Sequence, residues 1–191
     1  IAAIGKPFDI SKDKLMKTVY NKNDKAIILK EELSKGGEGI IYLVDTKTVA
    51  KIYHTKSLTP EKEGKIKALI AKKIGLEGIC APIESLFDER GHFVGYLMPK
   101  ANAESGFELQ TCVFNPALLK LKLSDWDRIN LANLSISILE KIKLLHDNDI
   151  IIGDINPFNI LIKDDKTVYF VDVDSYQVDN YPCPVGTVHF T

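Results

Sequence analysis

Three glycines within four residues, Gly36-Gly37-Glu38-Gly39, stand between two β-prone segments, Ala26–Glu32 and Ile40–Asp45. A third such segment, Thr48–Tyr53, follows a short Asp-Thr-Lys turn, so this stretch predicts a β-meander with a glycine-rich first turn. Without a Cβ, such a turn can bring backbone N–H groups close to phosphate oxygens, and an ordinary glycine-rich hairpin satisfies the same pattern. Val49-Ala50-Lys51 adds a constraint, because a lysine flanked by apolar residues on a strand needs an anion or a carboxylate as partner.

A helix supplies a candidate partner. Thr59-Pro60 reads as an N-cap followed by proline at the first helical position, and Gly75 is placed to end a helix over 60–74. With Ile66, Leu69 and Ile70 as the buried stripe, Glu63 falls within about 20° of Ile70 and Glu61 points the other way. Glu63 is thus the candidate for an ion pair with Lys51, the alternative being a solvated glutamate at the edge of the stripe. Ile79–Phe87 and Phe93–Met98, separated by Asp88-Glu89-Arg90-Gly91, read as a hairpin, which gives a five-stranded sheet with one helix after its third strand.

The second half changes character. Ser124 and Asp127 make a capping-box-like start, and Trp126, Ile129, Ala132, Ile136, Leu139 and Ile142 recur at helical spacing, which predicts an amphipathic helix over 125–147. Short β-prone pieces follow at 150–152, 160–163 and 168–171. Between them lies Gly153-Asp154-Ile155-Asn156-Pro157-Phe158-Asn159, where an aspartate and an asparagine five residues apart can hold a base and a metal-ligating amide, or simply form a polar turn. Asp172, at the end of Tyr169-Phe170-Val171, would project beyond the sheet toward a hard cation.

Other features narrow the class. The chain has 191 residues, 45% of them apolar, enough for one sizeable core, and a net charge of −1 that recommends neither nucleic acid nor a membrane surface. No apolar run approaches a bilayer span, Ile1–Ile10 lacks a secretory layout, and the expected compartment is the cytoplasm. Cys80, Cys112 and Cys183 are widely separated and odd in number, which fits neither a disulfide framework nor a zinc cluster, and read as reduced thiols. His146 reads as a packing residue, and His54, His92 and His189 have no ligand spacing. The lysines at 12, 14, 17, 22 and 25 read as a solvated face.

Taken in order, these elements resemble the eukaryotic-type protein kinases, in particular divergent bacterial kinase domains. Ser34–Tyr42 resembles the glycine-rich loop with serine for its first glycine, Val49-Ala50-Lys51 the strand of the ATP-binding lysine, and Glu63 the glutamate of helix C. Leu145-His146 and Gly153–Leu161 resemble the end of helix E and the catalytic loop. Asp172-Val173-Asp174 stands where Asp-Phe-Gly would, and Val185–Thr191 is similar to the end of the activation segment. The resemblance implies an α+β, two-lobed fold: a five-stranded antiparallel N-lobe over residues 1–98, a hinge at 99–101 and the start of a mainly helical C-lobe over 102–191, which reads as truncated.

It further implies ATP and Mg²⁺ as cofactors and phosphoryl transfer to Ser/Thr hydroxyls of a protein substrate. Gly36, Gly37, Gly39, Lys51, Met98 and Lys100 would bind the nucleotide, Lys51 and Glu63 would form a pair, Asn159 and Asp172 would hold the metal, and Asp154 would be the catalytic base. Gly153 replaces the arginine before that base, Asn156 the lysine two positions after it, and Asp174 the final glycine of the metal motif. Asn156 and Asp174 keep open a nucleotide-binding pseudokinase acting as scaffold or switch. The Gly-Asp, Pro and Asn of the loop, also found in aminoglycoside phosphotransferases, keep open a small-molecule phosphotransferase.

Overall fold

A computed structural model describes residues 17–74, 78–102, 107–113, 115–153 and 155–184. Asp154, Gly75 and the 185–191 segment singled out above lie outside the described residues. The first part is an antiparallel sheet of β1 (Lys17–Tyr20), β2 (Ala26–Leu29), β3 (Glu32–Lys35), β4 (Gly39–Leu43) and β5 (Thr48–Tyr53), then helix α1 (Pro60–Ala71), β6 (Glu84–Phe87) and β7 (Phe93–Pro99). The strand order is β2-β1-β6-β7-β5-β4-β3.

Seven strands therefore replace the five expected, for two reasons. Lys17–Tyr20 adds β1, and the single segment predicted at 26–32 breaks at Lys30-Glu31, with β2 turning back on β1 while β3 pairs with β4. Only two residues separate β2 from β3, yet these strands form opposite ends of the sheet. Three steps of chain reach at most about 11 Å, so the sheet must curl until its edges approach. Lys30 N–H and Leu43 N–H each donate at 2.9 Å, to the carbonyls of Leu43 and Glu31, across that seam.

Alternation along β5 divides the side chains between two cores. Ala50 packs inside the curl with Val19, Leu29, Ile40, Tyr42, Leu86 and Leu97. Val49 and Tyr53 belong to the other core, with Ile66 and Leu69 of α1, so Lys51 points the same way as these two. The β6–β7 hairpin forms as predicted: the Asp88 carboxylate accepts from Arg90 N and His92 N, and Gly91 takes φ 78°.

The second part contains β8 (Phe107–Glu108), α2 (Leu109–Cys112), α3 (Pro116–Lys122), α4 (Arg128–His146), β9 (Ile150–Ile151), β10 (Ile160–Ile162), β11 (Val168–Phe170) and β12 (Gln177–Val178). β8, β10 and β11 form one small sheet, β9 and β12 another. α4 starts three residues later than the sequence predicts because Asp127, not Ser124, caps it. The Asp127 carboxylate accepts from Ile129 N and Asn130 N while the Asn130 side chain accepts from Asp127 N. Its buried residues are Leu134, Ser137 and Leu145, whereas Ile129, Ile136 and Leu139 of the predicted stripe are each more than half exposed. No helix among the described residues is long and apolar enough to cross a membrane.

Candidate active site

β3, the Gly36–Glu38 turn and β4 roof a cavity of about 420 Å³ whose lining includes Gly36, Gly37, Gly39, Lys51, Met98, Lys100, Asn159 and Asp172. The fold thus gathers on one cavity every residue that the resemblance implies for nucleotide and metal. Gly36 N donates to the Gly39 carbonyl at 2.8 Å and closes the turn. A Cβ on Gly37 would meet nothing, but one on Gly39 would lie 2.4 Å from the Ile52 carbonyl oxygen, so only the second glycine is demanded by packing. Met98 is buried where β7 pairs with Val49 of β5, and the Lys100 N–H is already taken by the Lys47 carbonyl at 2.8 Å.

Lys51 forms the floor, 6% exposed. Its ammonium donates to Asp172 Oδ1 at 2.7 Å and to both carboxylate oxygens of Asp174 at 2.8 Å, and Glu38 Oε2 lies 3.9 Å away. Asp174 is 1% exposed, and Tyr53 Oη donates to its Oδ2 at 2.5 Å. Burial would raise the Asp174 carboxyl, but the Lys51 charge and the hydrogen bonds from Lys51 and Tyr53 outweigh it and hold the group at about 2. Asp172 goes the other way: burial, with the like charge of Asp174, outweighs Lys51 and raises it. Burial would lower the Lys51 ammonium, and the two carboxylates instead hold it above its ordinary value.

The turn that follows β11 creates this arrangement. Asp172 takes the left-handed conformation, φ 60°, and 173–175 form a 3₁₀ turn held by Ser175 N and Oγ, both donating to the Asp172 carbonyl. With Val173 and Tyr176 packed in the core, the carboxylates of residues 172 and 174 both reach Lys51.

Glu63 does not join them, which corrects the pairing expected with Lys51. It pairs with Lys67 on its own helix at 2.7 Å. The inward sector of α1 is centred on Lys65, Ile66 and Leu69 rather than Ile66, Leu69 and Ile70, and that rotation swings Glu63 outward. Two lysines take the inward positions. Lys62 donates to both Glu38 oxygens at 2.9 Å and lies over the Tyr53 ring, 5.1 Å from its centroid. Lys65 is buried, its pKa lowered chiefly by desolvation, and it donates to the Ser175 and Pro182 carbonyls at 2.9 and 3.0 Å. Thr59 caps α1 as predicted, its Oγ1 accepting from Lys62 N. The helix ends at Ala71, with Lys73 in the left-handed conformation at φ 51°.

Asn159 ends a 3₁₀ turn over 157–159 that Asn156 caps through Phe158 N, and its carbonyl accepts from Val171 N at 2.9 Å. This bond ties the loop carrying Asn159 to the strand end carrying Asp172. Gly153 fits against Cys183: a Cβ on Gly153 would lie 2.3 Å from the Cys183 Cβ. Sequence reasoning missed Asp174, Tyr53, Glu38, Lys62 and Lys65. For Asp174 the signal was present, since a carboxylate where a glycine is expected, next to an apolar strand, needs a cation.

No family model matches the chain. It is 30% identical over 184 residues to the protein kinase YegI of Escherichia coli strain K12, covering 91% of this chain and 28% of YegI. It is 28% identical over 145 residues to the serine/threonine-protein kinase YabT of Bacillus subtilis, covering 73% of this chain and 39% of YabT. The chain thus spans well under half the length of these curated relatives. Among solved structures it resembles the ROP18 kinase domain in complex with AMP-PNP and sucrose, with a TM-score of 0.58 and 15% identity over 91% of this chain and 59% of that one.

Proposed function

We propose that this chain, a divergent protein-kinase-like domain of the bacterial kind, binds ATP with Mg²⁺ in the cavity beneath the glycine turn and transfers its γ-phosphoryl group to Ser/Thr hydroxyls of a protein substrate. The observation that carries this reading is the buried Lys51 on the floor of a cavity roofed by Gly36 and Gly37 and edged by Asn159 and Asp172. An adenine would lie against the 98–101 segment and the apolar walls Ile41, Val49 and Leu161, with the triphosphate running under the glycines to Lys51. Asp154 would orient the acceptor hydroxyl and take its proton as the γ-phosphoryl moves in line.

Charge balance supports a requirement for the metal. Lys51, Lys62 and Lys100 supply three positive charges and Glu38, Asp172 and Asp174 three negative ones, a balance that leaves the charge of a triphosphate without a counter-charge. The Asn159 amide oxygen and the half-exposed Asp172 carboxylate are hard oxygen donors that suit Mg²⁺, which when bound would neutralise phosphate charge.

The test is calorimetry of ATP binding with and without Mg²⁺, paired with transfer from labelled ATP to a Ser/Thr peptide library. Binding that needs Mg²⁺ and falls at least ten-fold in Lys51→Met supports the site, and labelled peptide supports the chemistry. Mg²⁺-dependent binding with no transfer to any peptide would favour the scaffold reading.

A further inference from the structure

We propose that Asp174 positions Lys51 for the nucleotide, the task expected of Glu63, so that the orientation of the lysine is set from the turn after β11 and not from α1. This rests on the nucleotide-binding reading of the cavity. α1 offers Lys51 no carboxylate: Glu63 is held by Lys67, and the side chains that the helix turns inward near the site, Lys62 and Lys65, carry the same charge as Lys51. A helix presenting ammonium groups cannot supply the counter-charge a buried lysine requires.

Asp174 meets each requirement of a positioning group. It grips the ammonium through both oxygens, which fixes direction as well as distance. It is itself fixed by Tyr53 Oη and by the 3₁₀ turn that Ser175 closes, with Val173 and Tyr176 buried on either side. At 1% exposure it is shut away from the cavity, so a ligand cannot draw it off. Asp172 cannot serve in its place. Its carboxylate is 44% exposed and lines the cavity, where phosphate or metal competes for it. One carboxylate holds the lysine from behind while the other faces the ligand.

The proposal is tested by measuring, on the 191-residue chain, the affinities for Mg²⁺-ATP and for adenosine, which lacks phosphates. Asp174→Asn keeps the shape and removes the charge, and Tyr53→Phe removes only the hydroxyl behind it. We expect Mg²⁺-ATP affinity to fall at least ten-fold in Asp174→Asn and at least three-fold in Tyr53→Phe, with adenosine affinity unchanged within two-fold in both. Equal loss for ATP and adenosine would mean a merely structural role and overturns the proposal. So does unchanged ATP affinity in folded Asp174→Asn or, should that variant fail to fold, in Tyr53→Phe. Wild-type chain that binds neither ligand would instead sink the nucleotide reading on which the proposal rests.

Discussion

Lys62 on α1 holds both carboxylate oxygens of Glu38 at 2.9 Å and so ties the glycine turn to the helix. The same carboxylate lies 3.9 Å from Lys51, in the neighbourhood where phosphate is expected. Glu38→Gln should therefore raise Mg²⁺-ATP affinity two- to five-fold. Because Glu38 is half exposed, the effect should be worth about 1 kcal/mol at most and should shrink in 0.5 M salt. Calorimetry at two salt concentrations checks both statements, and weaker binding in Glu38→Gln would mean that the carboxylate assists the ligand.

The two α1 residues Glu63 and Lys65 should separate cleanly in stability. Glu63→Ala removes a partly exposed i,i+4 pair and should cost no more than about 0.5 kcal/mol. Lys65→Met strands two carbonyl acceptors and should cost about 1–3 kcal/mol. Urea unfolding of both variants decides, and a larger loss in Glu63→Ala would restore an inward role for that glutamate.

Much of this site follows from local rules and one part does not. The inward direction of Lys51 follows from alternation with Val49 and Tyr53, and the start of α1 follows from Thr59-Pro60. The rotation of α1 departs from its apolar spacing because Lys62 and Lys65, which that spacing leaves outside the stripe, lay their stems along buried surface and end on oxygen partners. The Lys51–Asp174 pair spans 123 positions and exists because Asp172 turns left-handed, and no short-range pattern encodes that turn.

Gly153 and Cys183 should behave as a coupled pair. Gly153→Ala puts a methyl 2.3 Å from the Cys183 Cβ, an overlap costing about 1–3 kcal/mol. Cys183→Gly vacates that space, so the double variant should recover most of the loss in a double-mutant cycle. Additive losses would show that the contact is absent in solution.

Alkaline pH should unfold the protein through its buried acids. Burial pushes the Cys80 thiol from 9.0 up to about 12, and the Tyr53 and Tyr96 phenols are also raised, first by burial and then by Asp174. As pH climbs from about 9 to about 12 the unfolded chain releases protons that the fold retains, so stability falls by up to about 1.4 kcal/mol per pH unit for each such group. The Tyr96 hydroxyl is fully buried and makes no hydrogen bond of good geometry among the described residues, yet it lies close enough to the Asp174 carboxylate to interact with it. Tyr96→Phe removes one of these raised acids and should therefore flatten the alkaline decline, and an unchanged slope of urea midpoint against pH would refute this.

The clamp formed by Lys65 has a mechanical consequence. By gripping Ser175 and Pro182 together, one ammonium ties α1 to both ends of the 175–182 segment. Loss of that ammonium would release the segment from the helix at two points at once, one of them a single position from Asp174.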